Sequence, residues 1–194
     1  MLGSNGTHVV GAHMDQLLSS ANLTDIHCMS KTTVKSKSAS SSDIEEPRHE
    51  RLEFVLYRKQ MLDAHGNSHF RAKMGKIKFL RDLAREAGED TKAAKDVFFD
   101  KFEILVTIKP PTRRKLDPPN FYPTVKPIID GLTDAGWWDD DNFAHMLETR
   151  FRYGGLSGVK NADGSNDNSA FRVILDIREI QDYEDFVTDA EFVD

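Results

Sequence analysis

Residues 102–136 read FEILVTIKPPTRRKLDPPNFYPTVKPIIDGLTDAG and contain a complete strand–loop–helix pattern. Apolar residues occupy every second position over 102–108, which predicts a strand that ends at the two prolines that follow. After a basic, proline-rich loop, apolar residues recur at helical spacing, which predicts a helix over about 124–135. Thr124 is suited to cap the start of this helix, and Gly136 is suited to end it.

The same reasoning predicts the elements on either side of this stretch. Alternating apolar positions indicate strands over 52–57, 147–153 and 171–177. A helical pattern covers about 70–87, and Gly88 is a plausible stop. The predicted order is β-α-β-α-β-β. The fold class is therefore α/β (α+β), a single small domain with a mixed sheet and helices packed against it.

Composition sets the limits of this domain. Residues 1–50 include a polar, serine-rich tract that cannot bury a core, so we expect a disordered N-terminal extension there. Residues 51–180 form the predicted domain. Residues 181–194 are acidic, and we expect a loose tail.

Several classes of protein are disfavoured by the bulk composition. The chain has 39% hydrophobic and 30% charged residues, which is normal for a soluble globular protein. No stretch approaches the roughly 20 apolar residues of a membrane span, and residues 1–30 lack a secretory leader pattern. Cys28 is the single cysteine, which excludes a disulfide framework within the chain. We expect a cytoplasmic protein.

The net charge of −6 is divided unevenly along the chain. Residues 1–50 carry 4 basic and 6 acidic residues, residues 51–116 carry 16 and 9, and residues 117–194 carry 6 and 17. A phosphate backbone responds to the local electrostatic field of a protein more than to the total charge of that protein. The middle segment is suited to hold phosphates and the last segment to hold cations. Charge alone equally allows that both are merely solvated surfaces.

Carboxylates near the second predicted helix are candidate metal ligands. Asp117 lies in the loop before the helix, and Asp139, Asp140 and Asp141 follow it. Mg²⁺ held by a few carboxylates can activate a water and polarise a phosphodiester. A helix of a dozen residues is about 18 Å long. The two groups can therefore meet only if the chain folds back after Gly136. The alternative is that the acidic run only solvates a loop.

Basic residues flank these carboxylates. Lys126 and Asp130 are four positions apart and share a helix face. Lys126 is suited to neutralise charge on a reacting phosphate, although a plain surface ion pair is the alternative. Arg113, Arg114 and Lys115 precede Asp117 and are suited to contact flanking phosphates.

The block from residue 113 to 141 resembles the RusA-type Holliday junction resolvases. Their pattern runs basic residues, D-x-D-N, a lysine, D-[AG]-L, A-G, an aromatic or apolar pair, and D-D. The matching positions in this sequence are Arg113, Arg114, Asp117, Asn120, Lys126, Asp130-Gly131-Leu132, Ala135-Gly136, Trp137-Trp138 and Asp140-Asp141. The match needs no gap from Lys126 to Asp141, and it extends more weakly over about 52–180.

Two features depart from the family pattern. Pro119 stands where the family has its second loop aspartate, and a proline side chain cannot bind a metal. The interval from Asn120 to Lys126 is also three residues longer than in the best-known members. Asn120 and Asp139 are candidates to supply the missing ligand.

The resemblance implies an endodeoxyribonuclease that resolves Holliday junctions and other branched DNA in recombination and repair. It implies Mg²⁺ as cofactor, with Mn²⁺ as a substitute, and a homodimer. The implied catalytic residues are Asp117, Lys126, Asp140 and Asp141, the three aspartates among them being the metal ligands. Arg113, Arg114 and Lys115 would bind DNA. Two alternatives remain open, namely a junction-binding protein with weak or no cleavage and a metal-dependent phosphoesterase that acts on another substrate.

Overall fold

The computed structural model describes residues 7–11, 46–65 and 69–181. In these ranges the elements follow the predicted order, with one additional strand at the start and a short 3₁₀ helix before the second α-helix. They are β1 (Thr7–Gly11), β2 (His49–Tyr57), α1 (Phe70–Ala94), β3 (Phe102–Lys109), the 3₁₀ helix (Pro118–Phe121), α2 (Tyr122–Asp134), β4 (Met146–Tyr153) and β5 (Ala170–Glu179).

The strands form one mixed sheet in the order β1-β2-β5-β3-β4. β5 runs antiparallel to both of its neighbours, β2 and β3, whereas the outer pairs β1–β2 and β3–β4 are parallel. Strands β2 and β3 therefore end at the same edge of the sheet at which β5 begins. The predicted fold class, a mixed sheet with packed helices, is confirmed.

The strand β1 lies inside the predicted N-terminal extension. It pairs in parallel with residues 51–55 of β2. Its sequence, THVVG, contains β-branched residues that favour strands. The finding differs from the disorder that we predicted for residues 1–50. The rest of that extension as far as residue 45, and residues 182–194 of the predicted acidic tail, lie outside the described residues.

One face of the sheet packs against the two helices and forms the core. The alternating residues of β2, β3 and β5 supply this face, and each is at most 2% exposed: Leu52, Phe54, Leu56, Phe102, Ile104, Val106, Ile108, Phe171, Val173, Leu175 and Ile177. The strand pattern read from the sequence thus identified the buried face. Within the described residues, no helix is long and apolar enough to cross a membrane.

The helices α1 and α2 run parallel and approach closely at glycines. A Cβ added at Gly88 would lie 2.8 Å from the Cβ of Ala135, and one added at Gly131 would lie 2.8 Å from the Cβ of Ala84. Gly88 was predicted to end α1, but the helix continues to Ala94. That prediction was wrong because Gly88 serves close helix packing, which a sequence pattern cannot distinguish from a helix stop.

The start of α2 also differs from the prediction. The helix begins at Tyr122, directly after the 3₁₀ helix, and Thr124 does not cap it. The hydroxyl of Thr124 is buried, accepts a hydrogen bond from the backbone N–H of Leu62 at 2.7 Å and donates one to the carbonyl of Leu62 at 2.6 Å. Thr124 therefore ties the start of α2 to the loop after β2.

Candidate active site

The chain reverses direction directly after α2. Gly136 has a φ of 74°, which is the left-handed conformation that glycine adopts without strain. Its N–H donates to Thr133 O at 2.9 Å, and the N–H of Trp137 donates to Leu132 O at 3.2 Å. This pair of bonds is a Schellman motif, which satisfies the last carbonyls of the helix. The predicted stop at Gly136 is confirmed.

Two buried tryptophans fix the path of the chain after this turn. The indole of Trp137 donates to Gly88 O at 3.1 Å, and that of Trp138 donates to Thr133 Oγ1 at 2.7 Å. The ring of Trp138 also stacks on Phe102, with centroids 4.2 Å apart. Their polar N–H groups are satisfied, so both rings can be buried fully. They are core residues, and the acidic run that follows is brought back along α2.

Lys126 lies between two aspartates on this returning chain. Its ammonium donates to Asp130 at 2.5 Å, one helical turn further on, and contacts the carboxylate of Asp141. The Lys126 side chain is 38% exposed, and those of Asp130 and Asp141 are 28% and 17% exposed. Burial disfavours the charged amine, but the hydrogen bonds to the two carboxylates outweigh it, and the pKa of Lys126 is raised. The ammonium is therefore charged at neutral pH.

The remaining acidic residues of this loop are more exposed. Asp140 accepts hydrogen bonds from the backbone N–H of Asp141 and from the side chain of Asn142, both at 2.8 Å. Asp139 is exposed to solvent. Phe143 follows at the tip of the loop with 82% of its surface exposed. Asp140 thus holds the backbone at Asp141 in place, and the Asp140 carboxylate itself stays at the surface.

A separate open cleft of about 760 Å³ surrounds Asp117. Its charged and amide-bearing wall comes from three loops at the edge where β2 and β3 end and β5 begins: Arg58, Asp63, His65, Arg114, Lys115, Asp117, Asn120 and Asn168. Apolar residues, among them Leu116, Phe121 and Phe171, form the rest of the wall. The cleft therefore offers positive charge from its basic side chains and an apolar surface suited to stacking.

Backbone and ring contacts hold the cleft walls together. The N–H of Ala64 donates to Asn120 O at 2.8 Å, which joins the loop after β2 to the 3₁₀ helix. Arg58 lies over the ring of Phe171, 5.7 Å from its centroid, and Phe171 packs against Phe121. The guanidinium of Arg58 is thereby oriented by a cation–π contact at the rim.

The structure therefore divides the predicted site residues into two groups. Lys126, Asp130 and Asp141 are in direct contact. Asp117 and Asn120 line the cleft with Arg114 and Lys115, and the exposed Arg113 lies on the same loop. The cleft walls include neither Asp140 nor Asp141.

The oxygen donors of Asp117, Asn120, Asp140 and Asp141 are chemically suited to Mg²⁺. Within the part of the chain that the structure describes, no three His, Cys, Asp or Glu side chains are arranged to hold a metal ion. The carboxylates that the sequence predicted as one metal site are thus suitable in kind, but they are not gathered into a single group.

Sequence reasoning did not identify several cleft residues. Arg58, Asp63 and His65 follow β2, and Asn168 and Ser169 precede β5. Each lies directly beyond a predicted strand, and the antiparallel pairing of β5 with β2 and β3 brings these strand ends together. The strand order, which the sequence did not specify, was the missing information.

Comparison of the chain with models of known protein families and with curated proteins gave no match. The resemblance to RusA-type resolvases therefore remains an expectation from the sequence.

Proposed function

We propose that this protein is a Mg²⁺-dependent endodeoxyribonuclease that cuts branched DNA, with four-way junctions as its main substrate. One observation carries the proposal, namely that Lys126 contacts Asp141. This contact is possible only because the chain reverses direction after Gly136. A half-buried ammonium held between two carboxylates is a preorganised charge in a partly desolvated site. An ordinary helix-surface pair would involve Asp130 alone.

The cleft around Asp117 supports a nucleic acid as substrate. Arg58, Arg114 and Lys115 line it and are suited to neutralise phosphates. The apolar wall formed by Phe121 and Phe171 is suited to accept a sugar or a base. The cleft is open, as access to a DNA strand requires, and it lies beside the start of α2, whose second turn carries Lys126.

The proposed roles follow from these positions. Arg114 and Lys115 hold the DNA backbone, with Arg113 on the same loop contacting an adjacent phosphate. Lys126 neutralises charge on the phosphate in the transition state, and Asp130 fixes the direction of its ammonium. Asp117, Asp140 and Asp141 would hold Mg²⁺, with Asn120 and Asp139 as further oxygen donors; because the structure does not gather these side chains into one group, the proposal requires that they come together when metal and DNA bind. When bound, the metal would supply an activated water and polarise the phosphate.

The proposal includes the cellular setting and the partners that this reaction requires. We propose a cytoplasmic location, because a chain with a single cysteine forms no internal disulfide and needs no oxidising compartment. Cutting two symmetric strands of a junction requires two sites related by a two-fold axis, so we propose a homodimer.

A nicking assay tests the proposal. The full chain is incubated with a labelled four-way junction and with a linear duplex of the same sequence, in Mg²⁺ and in EDTA. We expect nicks in the junction with Mg²⁺ only. Binding of the junction without a nick at any Mg²⁺ concentration would overturn the nuclease in favour of a binding protein. Equal cutting of both DNAs would overturn the junction as substrate.

A further inference from the structure

Tyr122 presents an exposed aromatic ring between the two groups of the candidate site. It is the first residue of α2, and it is 42% exposed. Asn120 and Phe121, directly before it, line the cleft around Asp117. Lys126 lies one helical turn after it, about 6 Å further along the helix axis. A DNA strand that contacts both the cleft and Lys126 therefore passes close to the ring of Tyr122.

Phe151 of β4 supports the ring of Tyr122 from one side. The two rings meet edge-on, with their centroids 6.2 Å apart and their planes at 72°. Phe151 itself packs against the core, so the support is fixed. In an edge-on pair the edge of one ring meets the face of the other, so this contact covers at most one face of Tyr122. The other face is open to a planar ligand.

The surface next to Phe151 carries a second exposed ring. Tyr153 lies two residues further along β4, on the same side of the sheet, and is 50% exposed. A single exposed aromatic residue is common on a protein surface. Here two such residues lie next to the same supporting phenylalanine, and one of them shares a helix face with Lys126.

Cationic groups lie on both sides of Tyr122. Arg114 and Lys115 line the cleft before it, and the Lys126 ammonium follows it on α2. Proteins that bind single-stranded nucleic acid combine a positive track for the backbone with aromatic rings on which bases stack. The surroundings of Tyr122 are of this kind. An apolar peptide or a lipid tail would instead cover the cations without pairing them, which is unfavourable.

We propose that the ring of Tyr122 stacks on an unpaired base of branched DNA, beside the phosphate at Lys126, and so favours branched over linear DNA. The inference rests on the proposed function, because it takes DNA as the substrate. In a linear duplex each base is covered on both faces by its neighbours, whereas an unpaired base leaves the stack at the least cost. Tyr122 lies in the interval from Asn120 to Lys126, where the RusA-type pattern specifies no residue.

Substitutions at residue 122 separate stacking from packing. Tyr122→Leu removes the ring and Tyr122→Phe keeps it, while Phe70→Leu, at a 73% exposed ring on α1, is the control. Binding is measured in Ca²⁺ to a four-way junction with one unpaired base at the branch and to a linear duplex. Tyr122→Leu should bind the junction about tenfold more weakly or worse, the loss expected of one base–aromatic stack, and bind the duplex like wild type. The other two variants should match wild type on both DNAs.

The other outcomes of this experiment are informative as well. An equal loss on both DNAs, no loss on either, or a Tyr122→Phe variant as weak as Tyr122→Leu would overturn the stacking role. A change in the mass of Tyr122→Leu by light scattering would assign the ring to a contact between copies instead. A wild type that shows the expected difference but never cuts would support the stacking role and refute the nuclease. A wild type that binds neither DNA would overturn both.

A photo-cross-link tests the same contact without any substitution, which keeps the inference falsifiable if Tyr122→Leu does not fold. The base 5-iodouracil, which cross-links to a neighbouring aromatic ring under ultraviolet light, replaces the unpaired base of the junction. With the full wild-type chain in Ca²⁺, mass spectrometry should place the cross-link on Tyr122. The same base paired within the linear duplex should give none. A cross-link on another residue such as Phe143, or no cross-link to the junction, would overturn the proposal.

Discussion

Lys126 and Asp141 are fifteen positions apart in the chain and in direct contact in the fold. The helix between them runs on for eight residues beyond Lys126, about 12 Å, before the chain turns. The left-handed Gly136 and the two buried tryptophans return the chain along that helix. The contact therefore depends on packing that lies outside the site.

Asp141→Asn should abolish cleavage of a four-way junction and leave binding within about twofold of wild type. The change removes one carboxylate from Lys126 and from the proposed metal site, while the basic loop still holds the backbone. Cleavage at saturating DNA and a gel-shift titration in Ca²⁺ measure the two effects. Asp90→Asn, on an exposed position of α1, is the control. Cleavage by Asp141→Asn at the wild-type rate in limiting Mg²⁺ would remove Asp141 from the site.

The double variant Arg114→Ala/Lys115→Ala should weaken binding to all DNA sequences alike. If each side chain neutralises one phosphate, the slope of log K against log salt should fall by about 2 in magnitude. Titrations from low to moderate salt measure this slope. Lys160→Ala, which removes an exposed lysine outside the cleft, should leave the slope unchanged. An unchanged slope in the double variant would show that these residues do not contact the backbone.

Gly131→Ala should destabilise the protein by about 1–3 kcal/mol, the usual cost of overpacking a core. The added methyl group would clash with the backbone of α1 at Arg81 and lie 2.9 Å from the N of Arg85. Gly75→Ala is a matched control on α1, because its new Cβ meets no described atom within 4 Å. That variant should gain about 0.5–1 kcal/mol from helix propensity. Urea unfolding compares both, and equal effects would contradict the close packing of the helices.

The Arg81–Asp134 pair should stabilise the fold at neutral pH and not in acid. Two hydrogen bonds from the Arg81 guanidinium, at 2.5 and 2.7 Å, lower the pKa of Asp134 below its usual 3.8. A lowered folded-state pKa gives stability above pH 3.8 that is lost as the pH falls through the folded value. Asp134→Asn should therefore cost up to about 1 kcal/mol at pH 7 and nothing at low pH. A cost that is the same at both pH values would contradict this account.

Much of the fold could be predicted from the sequence because the apolar periods are clear. The alternation in β3 and β5 and the stripe on α2 each have one clear period, and that period marks the face that forms the core. The errors occurred at residues with two structural uses. Glycine often ends a helix, but Gly88 allows the two helices to pack closely. Threonine often caps a helix, but the hydroxyl of Thr124 bonds to the backbone of Leu62 instead. Long-range packing decides between these uses.

The candidate site could be predicted only in part. The spacing of Lys126 and Asp130 on one helix face follows from helix geometry alone, and the structure shows their contact. The return of Asp141 to Lys126 required the turn at Gly136, which the sequence suggested as a helix stop without giving its direction. Arg58 and Asn168 line the cleft because β5 lies between β2 and β3, and strand order leaves no local signal.

Single-turnover cleavage by Lys126→Ala tests the central claim, that the ammonium held by Asp130 and Asp141 acts on the reacting phosphate. Lys78→Ala is the matched control, because Lys78 forms the same four-residue pair with Asp82 on an exposed face of α1. Both variants should lose about 1 kcal/mol of stability or less. On a saturated four-way junction in Mg²⁺, Lys126→Ala should cut about 100-fold more slowly than wild type, while Lys78→Ala should cut at the wild-type rate. A single-turnover rate of Lys126→Ala equal to that of wild type would contradict the account.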